Sequence, residues 1–182
     1  MSVRYHNFGG VIGWNLQKYF PMLSSDSYLK LQRSTRNKLQ KEYIDYFLST
    51  GEPPMPLVVN LETINRCNST CSFCTANKNA EKRPYKRMED SLFYSIIDQL
   101  AEWGYTGHLT LYGNNEPFLD TRIVAFHKYC REKLPHSFIF LSSNGLLLTV
   151  DKVKEIIPYV NQLIINNYCR DMKLHDNVRE IY

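Results

Sequence analysis

From Pro56 onward the chain alternates between two hydrophobic rhythms, one of period two and one close to 3.6 residues. Leu57, Val59 and Leu61 share one face of an extended segment and Asn60 and Glu62 share the other, which predicts a strand over 56–64. The same reasoning predicts strands over 108–113, 137–143 and 162–168. Between them, Phe93, Ile96, Ile97, Leu100 and Trp103 form one apolar stripe, and Ile123, Phe126, His127, Cys130 and Leu134 form a second. These predict helices over 89–103 and 121–134. Thr149 is a good N-cap and Pro158 a stop, so a third helix is expected over 149–157. A last helix begins near His175.

Strands alternating with helices of this length imply an α/β fold with a parallel sheet built from about four βα units. Parallel strands covered on both faces read as continuous apolar runs. Here they alternate: Leu109 and Leu111 oppose His108, Thr110 and Tyr112. The economical account is an outer face packed on helices and a wet inner face, as an open or ligand-filled barrel requires. Before this core, Leu29, Leu31, Leu39, Tyr43, Tyr46 and Phe47 recur at broadly helical spacing until Gly51-Glu52-Pro53-Pro54. Residues 1–55 are therefore expected to form a helical accessory segment, and 56–182 the core domain.

Composition narrows the functional classes. A chain of 182 residues, 43% hydrophobic, is long enough to bury the core of about one domain. Net charge is +4, and its nearest approach to a basic patch is Lys78, Lys82, Arg83, Lys86 and Arg87 with only Tyr85 among them. That stretch reads as a solvated loop, so nucleic-acid binding is not indicated. Met1–Phe20 mixes polar residues throughout and is no signal peptide. No stretch approaches the roughly 18 apolar residues of a membrane helix. Five cysteines without a secretory signal imply a reducing, cytoplasmic setting in which clustered thiols act as metal ligands.

Three of those cysteines carry the chemistry. Cys67, Cys71 and Cys74 follow the first strand directly, as Cys-Asn-Ser-Thr-Cys-Ser-Phe-Cys. An odd number of thiols so closely spaced suits a soft metal centre better than a disulfide. Such thiolates select zinc, copper(I) or an iron–sulfur cluster. Zinc needs a fourth ligand, for which the next candidates downstream are the distant His108 and Cys130. Two further polar loops, Gly113-Asn114-Asn115-Glu116-Pro117 and Ser143-Asn144-Gly145, follow the second and third strands. In barrel-like α/β folds the loops after the strands converge on the active face. Cys130 reads as a core residue, and Cys169 as a loop cysteine rather than an auxiliary thiol. His108 and Tyr112 face the expected lumen and receive no catalytic role.

Cys-x3-Cys-x2-Cys after a first strand, with an aromatic before the third cysteine, resembles the radical S-adenosylmethionine (radical SAM) superfamily over roughly residues 56–168. The resemblance implies a partial (β/α) barrel in which Cys67, Cys71 and Cys74 hold three irons of a [4Fe–4S] cluster. S-adenosylmethionine (SAM) would chelate the fourth iron, so the missing fourth cysteine is itself informative. Phe73 matches the aromatic whose backbone lies near the adenine. Gly113 to Pro117 resembles the family's Gly-Gly-Glu-Pro motif, which receives the SAM amino group, with Asn114 or Asn115 in place of the second glycine and Glu116 retained. Asparagine tolerates unusual backbone angles better than most residues. Ser143, Asn144 and Gly145 resemble the loop near the SAM carboxylate and ribose, and Asn166 or Asn167 matches a polar residue at the fourth strand.

The implied activity is reductive cleavage of SAM to a 5′-deoxyadenosyl radical that abstracts hydrogen from a substrate. A flavodoxin or ferredoxin is the implied electron donor. Peptide-modifying (SPASM-type) members make a peptide one candidate substrate, although no cysteine-rich C-terminal extension follows here. With about four βα units the core is expected to be part of a longer barrel. The competing reading is a non-catalytic iron–sulfur or zinc-binding module acting as a scaffold.

Overall fold

The computed structural model describes residues 4–6, 25–74, 83–168 and 173–181. In chain order the elements are β1 (Arg4–His6), α1 (Ser25–Thr50), β2 (Val58–Asn60), α2 (Asp90–Glu102) and β3 (His108–Thr110). Then come α3 (Ile123–Lys133), β4 (Phe138–Ser143), α4 (Val150–Ile156), β5 (Gln162–Asn166) and α5 (Asp176–Ile181). The sheet order is β1-β5-β4-β3-β2. Pairs β2–β3, β3–β4 and β4–β5 are parallel, with Asn60 opposite Thr110, Thr110 opposite Phe140 and Phe140 opposite Gln162. The C-terminal ends of these four strands therefore lie along one rim. The edge strand β1 has no counterpart in the sequence reading, which placed only helix in residues 1–55.

Two compact units are distinguished: Met1–Tyr5 with Leu57–Tyr182, and His6–Pro56. The second contains α1, which ends where glycine allows it: Gly51 adopts φ 75° and its N–H bonds the Phe47 carbonyl at 2.8 Å. Ile44, Phe47 and Leu48 on this helix are exposed.

In the larger unit, Leu109, Leu111, Ile139, Leu141, Leu163 and Ile165 form the helix-facing side of the sheet and are buried. They meet Phe93, Ile97 and Leu100 of α2, Phe126 and Cys130 of α3, and Val153 and Ile156 of α4. Phe93 and Phe126 stack at 3.8 Å between centroids. Trp103 is not part of this stripe; it is the C-cap of α2 and is largely exposed. The opposite sheet face is only partly wet. Asn60 and His108 are exposed, but Thr110 and Ile164 are buried, and β5 is apolar on both faces.

Every predicted strand of the core is present, most of them shorter than expected. Strand β2 stops at Asn60 because the chain turns to meet the segment before α2. Ile64 bridges Arg87 in antiparallel fashion, Met88 N donates to Thr63 O at 2.9 Å and Asn65 N to Lys86 O at 3.1 Å. Arg122 braces that junction. It forks onto Asp120 at 2.9 and 2.7 Å, donates to Met88 O at 2.9 Å and to Asp90, and lies over the Phe126 ring. Burial alone would raise the Asp120 carboxyl, but its hydrogen bonds from Arg122 outweigh that and hold it below the usual carboxylate range. Thr149 caps α4 by accepting from Lys152 N at 3.2 Å. Pro158 does end α4, and the chain continues as one 3₁₀ turn over Ile157–Tyr159.

His127 is wholly buried on α3, its Nδ1 bonded to Ile123 O at 2.7 Å and its Nε2 without a partner. Burial pushes its pKa down to about 4. The folded value lies below the unfolded value, so the neutral imidazole's contribution is complete above about pH 6.5. It is lost as pH falls from there toward 4. We expect urea melts to lose roughly 2–3 kcal/mol to this group across that window. His127→Met, which removes the titration, should flatten that limb relative to the parent chain.

Candidate cofactor site at the strand ends

Cys67, Cys71 and Cys74 occupy a loop whose base is tied shut. Arg66 donates to Arg83 O at 2.8 Å, Asn65 Nδ2 to Pro84 O at 2.9 Å, and Lys86 N to Asn65 Oδ1 at 2.8 Å. Within the loop, Cys74 N bonds Cys71 O at 3.0 Å, which turns the last two cysteines toward one side. The three are free thiols, each partly exposed. Burial raises the pKa of Cys67 and of Cys71, and the neighbouring thiolates raise both further; Glu116 adds to the effect at Cys67. Negative charge accumulates poorly there without a cation.

Glu116 joins the three loops. It is almost wholly buried, and its N–H donates to Arg66 O at 2.8 Å, tying the second loop to the first. One carboxylate oxygen accepts from Ser143 Oγ at 2.8 Å and Phe118 N at 3.2 Å, the other from Asn144 N at 2.8 Å. Burial pushes this carboxyl up, and the donors from Asn144, Ser143 and Phe118 pull it back. Asn144 carries the link onward. Its Nδ2 donates to Asn68 Oδ1 at 2.8 Å and Ser69 Oγ at 3.1 Å and lies 3.8 Å from Cys67 Sγ.

Gly145 is required at its position. It has φ 79°, and a Cβ there would stand 2.7 Å from Ile165 Cγ2. Its carbonyl accepts from Asn177 Nδ2 of α5 at 2.8 Å, which fixes the third loop from outside. Asn115 folds back so that its Oδ1 accepts from Gly113 N at 2.8 Å, which closes the loop on itself. Its Nδ2 is buried without a protein partner. Asn166 ends β5 with Nδ2 donating to Ser142 Oγ at 2.6 Å.

These groups surround a cavity of about 160 Å³. Eleven of the residues singled out from the sequence line it: Cys67, Cys71, Phe73, Cys74, Gly113, Asn114, Asn115, Glu116, Ser143, Asn144 and Asn166. Asn167 does not; its amide donates to Lys173 O at 3.3 Å. His108 shares its sheet face with Thr110, as the alternation implied, and takes no part in the site. It begins β3 at the opposite end from the loops, with its ring 4.9 Å from Phe138, and does not line the cavity. Ser69, Tyr112, Ser142 and Tyr168 also line it. Tyr112 and Ser142 were legible as inward positions of alternating strands. Tyr168, its ring 5.1 Å from that of Phe73, had no local signal. Cys169 lies outside the described residues, as do Lys78 and Lys82. Cys130 is buried in the core, as its stripe implied.

Convergent loops at the rim of a parallel sheet, with free thiols on one of them, define a cofactor-dependent α/β enzyme. The profile of the radical SAM superfamily matches residues 61–166, more than half of the sequence, and the chain belongs to that superfamily. The family uses SAM and a [4Fe–4S] cluster. The chain is 22% identical over 99 residues to an S-adenosyl-L-methionine-dependent 2-deoxy-scyllo-inosamine dehydrogenase of Niallia circulans, covering 54% of this chain and 39% of that one. The fold is similar to the structure of BtrN in complex with AdoMet and 2-DOIA (TM-score 0.61, 18% identity, 71% of this chain and 51% of that one). It is also similar to Streptococcus suis SuiB bound to S-adenosylmethionine (TM-score 0.51, 16% identity, 84% and 34%). The chain thus spans two-fifths to one-half of the length of the first relatives it matches. Among the described residues, no helix is long and apolar enough to cross a membrane.

Proposed function

We propose that residues 56–182 form the cofactor-binding core of a radical SAM enzyme that generates a 5′-deoxyadenosyl radical and uses it to abstract hydrogen from a substrate. The observation that carries this reading is the convergence of three loops, from β2, β3 and β4, with Asn166 of β5 around one cavity. The donor chemistry fits the cofactors. Three thiols stand on one loop, no fourth thiol or histidine lines the cavity among the described residues, and the buried Asn115 Nδ2 lacks an acceptor there. A structural zinc needs four ligands closed on one ion at about 2.0–2.3 Å. Among the described residues no three His, Cys, Asp or Glu side chains are grouped to hold a single ion.

In this reading Cys67, Cys71 and Cys74 hold the cluster, and Gly113, Asn114, Asn115, Ser143, Asn144, Asn166 and Phe73 hold SAM. When bound, the pair supplies one-electron cleavage of SAM and a radical able to take a hydrogen atom. The protein's own part is placement. Glu116 keeps the loops in register by filling its own carboxylate with protein donors, and so acts as a positioning residue. Phe73 and Tyr168 put aromatic surface against the opening, which limits water. A flavodoxin or ferredoxin in the cytoplasm is the proposed reductant. For substrate, the aminocyclitol of the Niallia circulans relative stands beside the peptide class.

Anaerobic reconstitution of the chain with iron and sulfide, followed by dithionite and SAM, tests this directly. The expected result is a brown protein that forms 5′-deoxyadenosine and methionine in equal amounts. A cluster that forms but never cleaves SAM overturns the enzyme reading, and retained zinc without colour overturns the cluster as well.

A further inference from the structure

Buried polar atoms without partners are rare in native structures and mark places where a water, ion or ligand belongs. Two of those in this chain belong to one ion pair. Glu62 Oε2 and Arg83 Nη1 stand 3.8 Å apart, too far for a hydrogen bond, while the other ends of both groups, Glu62 Oε1 and Arg83 Nη2, are buried with nothing bonded. The pair adjoins the cofactor cavity. Glu62 lies against Gly113, a wall residue, and a Cβ added to Gly113 would sit 3.8 Å from Glu62 Cδ. Glu62 extends from the inward face of β2, two residues beyond Asn60. Arg83 is held by its backbone, whose carbonyl accepts from Arg66. Neither side chain is used by the fold in any other hydrogen bond among the described residues.

We propose that Glu62 and Arg83 are substrate-recognition residues that bind a hydroxyl group of a small, polar, non-anionic substrate beside the SAM cavity. This inference rests on the radical SAM reading of the cavity and names the substrate class for it. The chemistry follows from what the pair lacks. The carboxylate needs a donor and the guanidinium an acceptor, and a hydroxyl supplies both. The pair is neutral overall, so a phosphate or carboxylate gains from Arg83 only what it loses to Glu62. A simple cation has the converse problem. A hydroxylated small molecule therefore fits better than an anionic one. A peptide backbone offers the same two functions, so it is the alternative that the experiment must separate.

The probes are 2-deoxy-scyllo-inosamine, inositol monophosphate and triglycine, each titrated calorimetrically into the anaerobic, reconstituted, SAM-loaded chain. We expect the aminocyclitol to bind, and the phosphate and the tripeptide to bind at least tenfold more weakly. Glu62→Gln and Arg83→Gln should each weaken the aminocyclitol at least tenfold. SAM affinity and the melting midpoint serve as controls for a damaged fold. Unaltered aminocyclitol affinity in either variant, absence of aminocyclitol binding, or equal binding of triglycine would overturn the proposal. SAM-dependent 5′-deoxyadenosine formation without any probe reports separately on the underlying radical SAM reading.

Discussion

Cys71→Ser, purified and reconstituted without oxygen, should retain far less iron than the roughly four per chain of a complete cluster, and should form no 5′-deoxyadenosine. Serine matches the thiol in size but stays protonated at neutral pH and offers a hard oxygen to a soft centre. The loss should exceed the roughly 10–100-fold that removing an outer hydrogen-bond partner costs a metal site. Folding should survive, because Cys71 is only partly buried and sits in a loop whose base is tied by Asn65 and Arg66 rather than by the thiols. Its unfolding free energy from urea melts should change by no more than about 0.5 kcal/mol before metal is added. Cys130→Ser gives the opposite pattern. That thiol is fully buried among apolar side chains, where burial pushes its pKa far up, so it never competes for metal. A hydroxyl there should cost about 1–3 kcal/mol of stability and no iron. Full iron content and SAM cleavage in Cys71→Ser would remove that residue from the ligand set.

The contrast between these two cysteines shows what the sequence made legible. Cys130 shares a 3.6-residue stripe with Ile123, Phe126 and His127, and helical spacing alone sends it into the core. Cys71 shares no such period and stands in a loop after a strand. Loop placement followed from strand direction: once β2 to β5 are parallel, every loop after a strand falls on one rim. That is why Cys67, Gly113, Ser143 and Asn166 arrive at one cavity although 99 residues separate the first from the last. Long-range hydrogen bonds were not legible. Nothing local says that Asn65 clasps the segment at Pro84–Lys86, and this clasp is what shortens β2. Strand β1 was missed because three residues are too few to show a period.

Glu116→Ala should lower stability by about 2–4 kcal/mol and also weaken SAM binding severely. Alanine leaves three donors, Ser143 Oγ, Asn144 N and Phe118 N, facing a cavity with no acceptor. Each stranded buried donor costs about 1–3 kcal/mol, and relief from desolvating a carboxylate offsets part of the sum. The effect on SAM is the more specific result. Asn144 is held by Glu116 through its backbone and reaches Asn68, Ser69 and Cys67 through its side chain. Releasing the backbone therefore loosens the third loop and the cysteine loop together. Glu116→Gln separates placement from charge. Its carbonyl oxygen can still accept from Asn144 N, and its amide can donate to Ser143 Oγ if that hydroxyl turns. Only the Phe118 bond is then lost. We expect the glutamine variant to melt within about 1–2 kcal/mol of the parent and to recover most SAM affinity, measured by calorimetry on the reconstituted chain. If alanine and glutamine weaken SAM equally while differing in stability, the carboxylate's charge acts on the cofactor directly. Glu116 would then belong to the binding set and not to its frame.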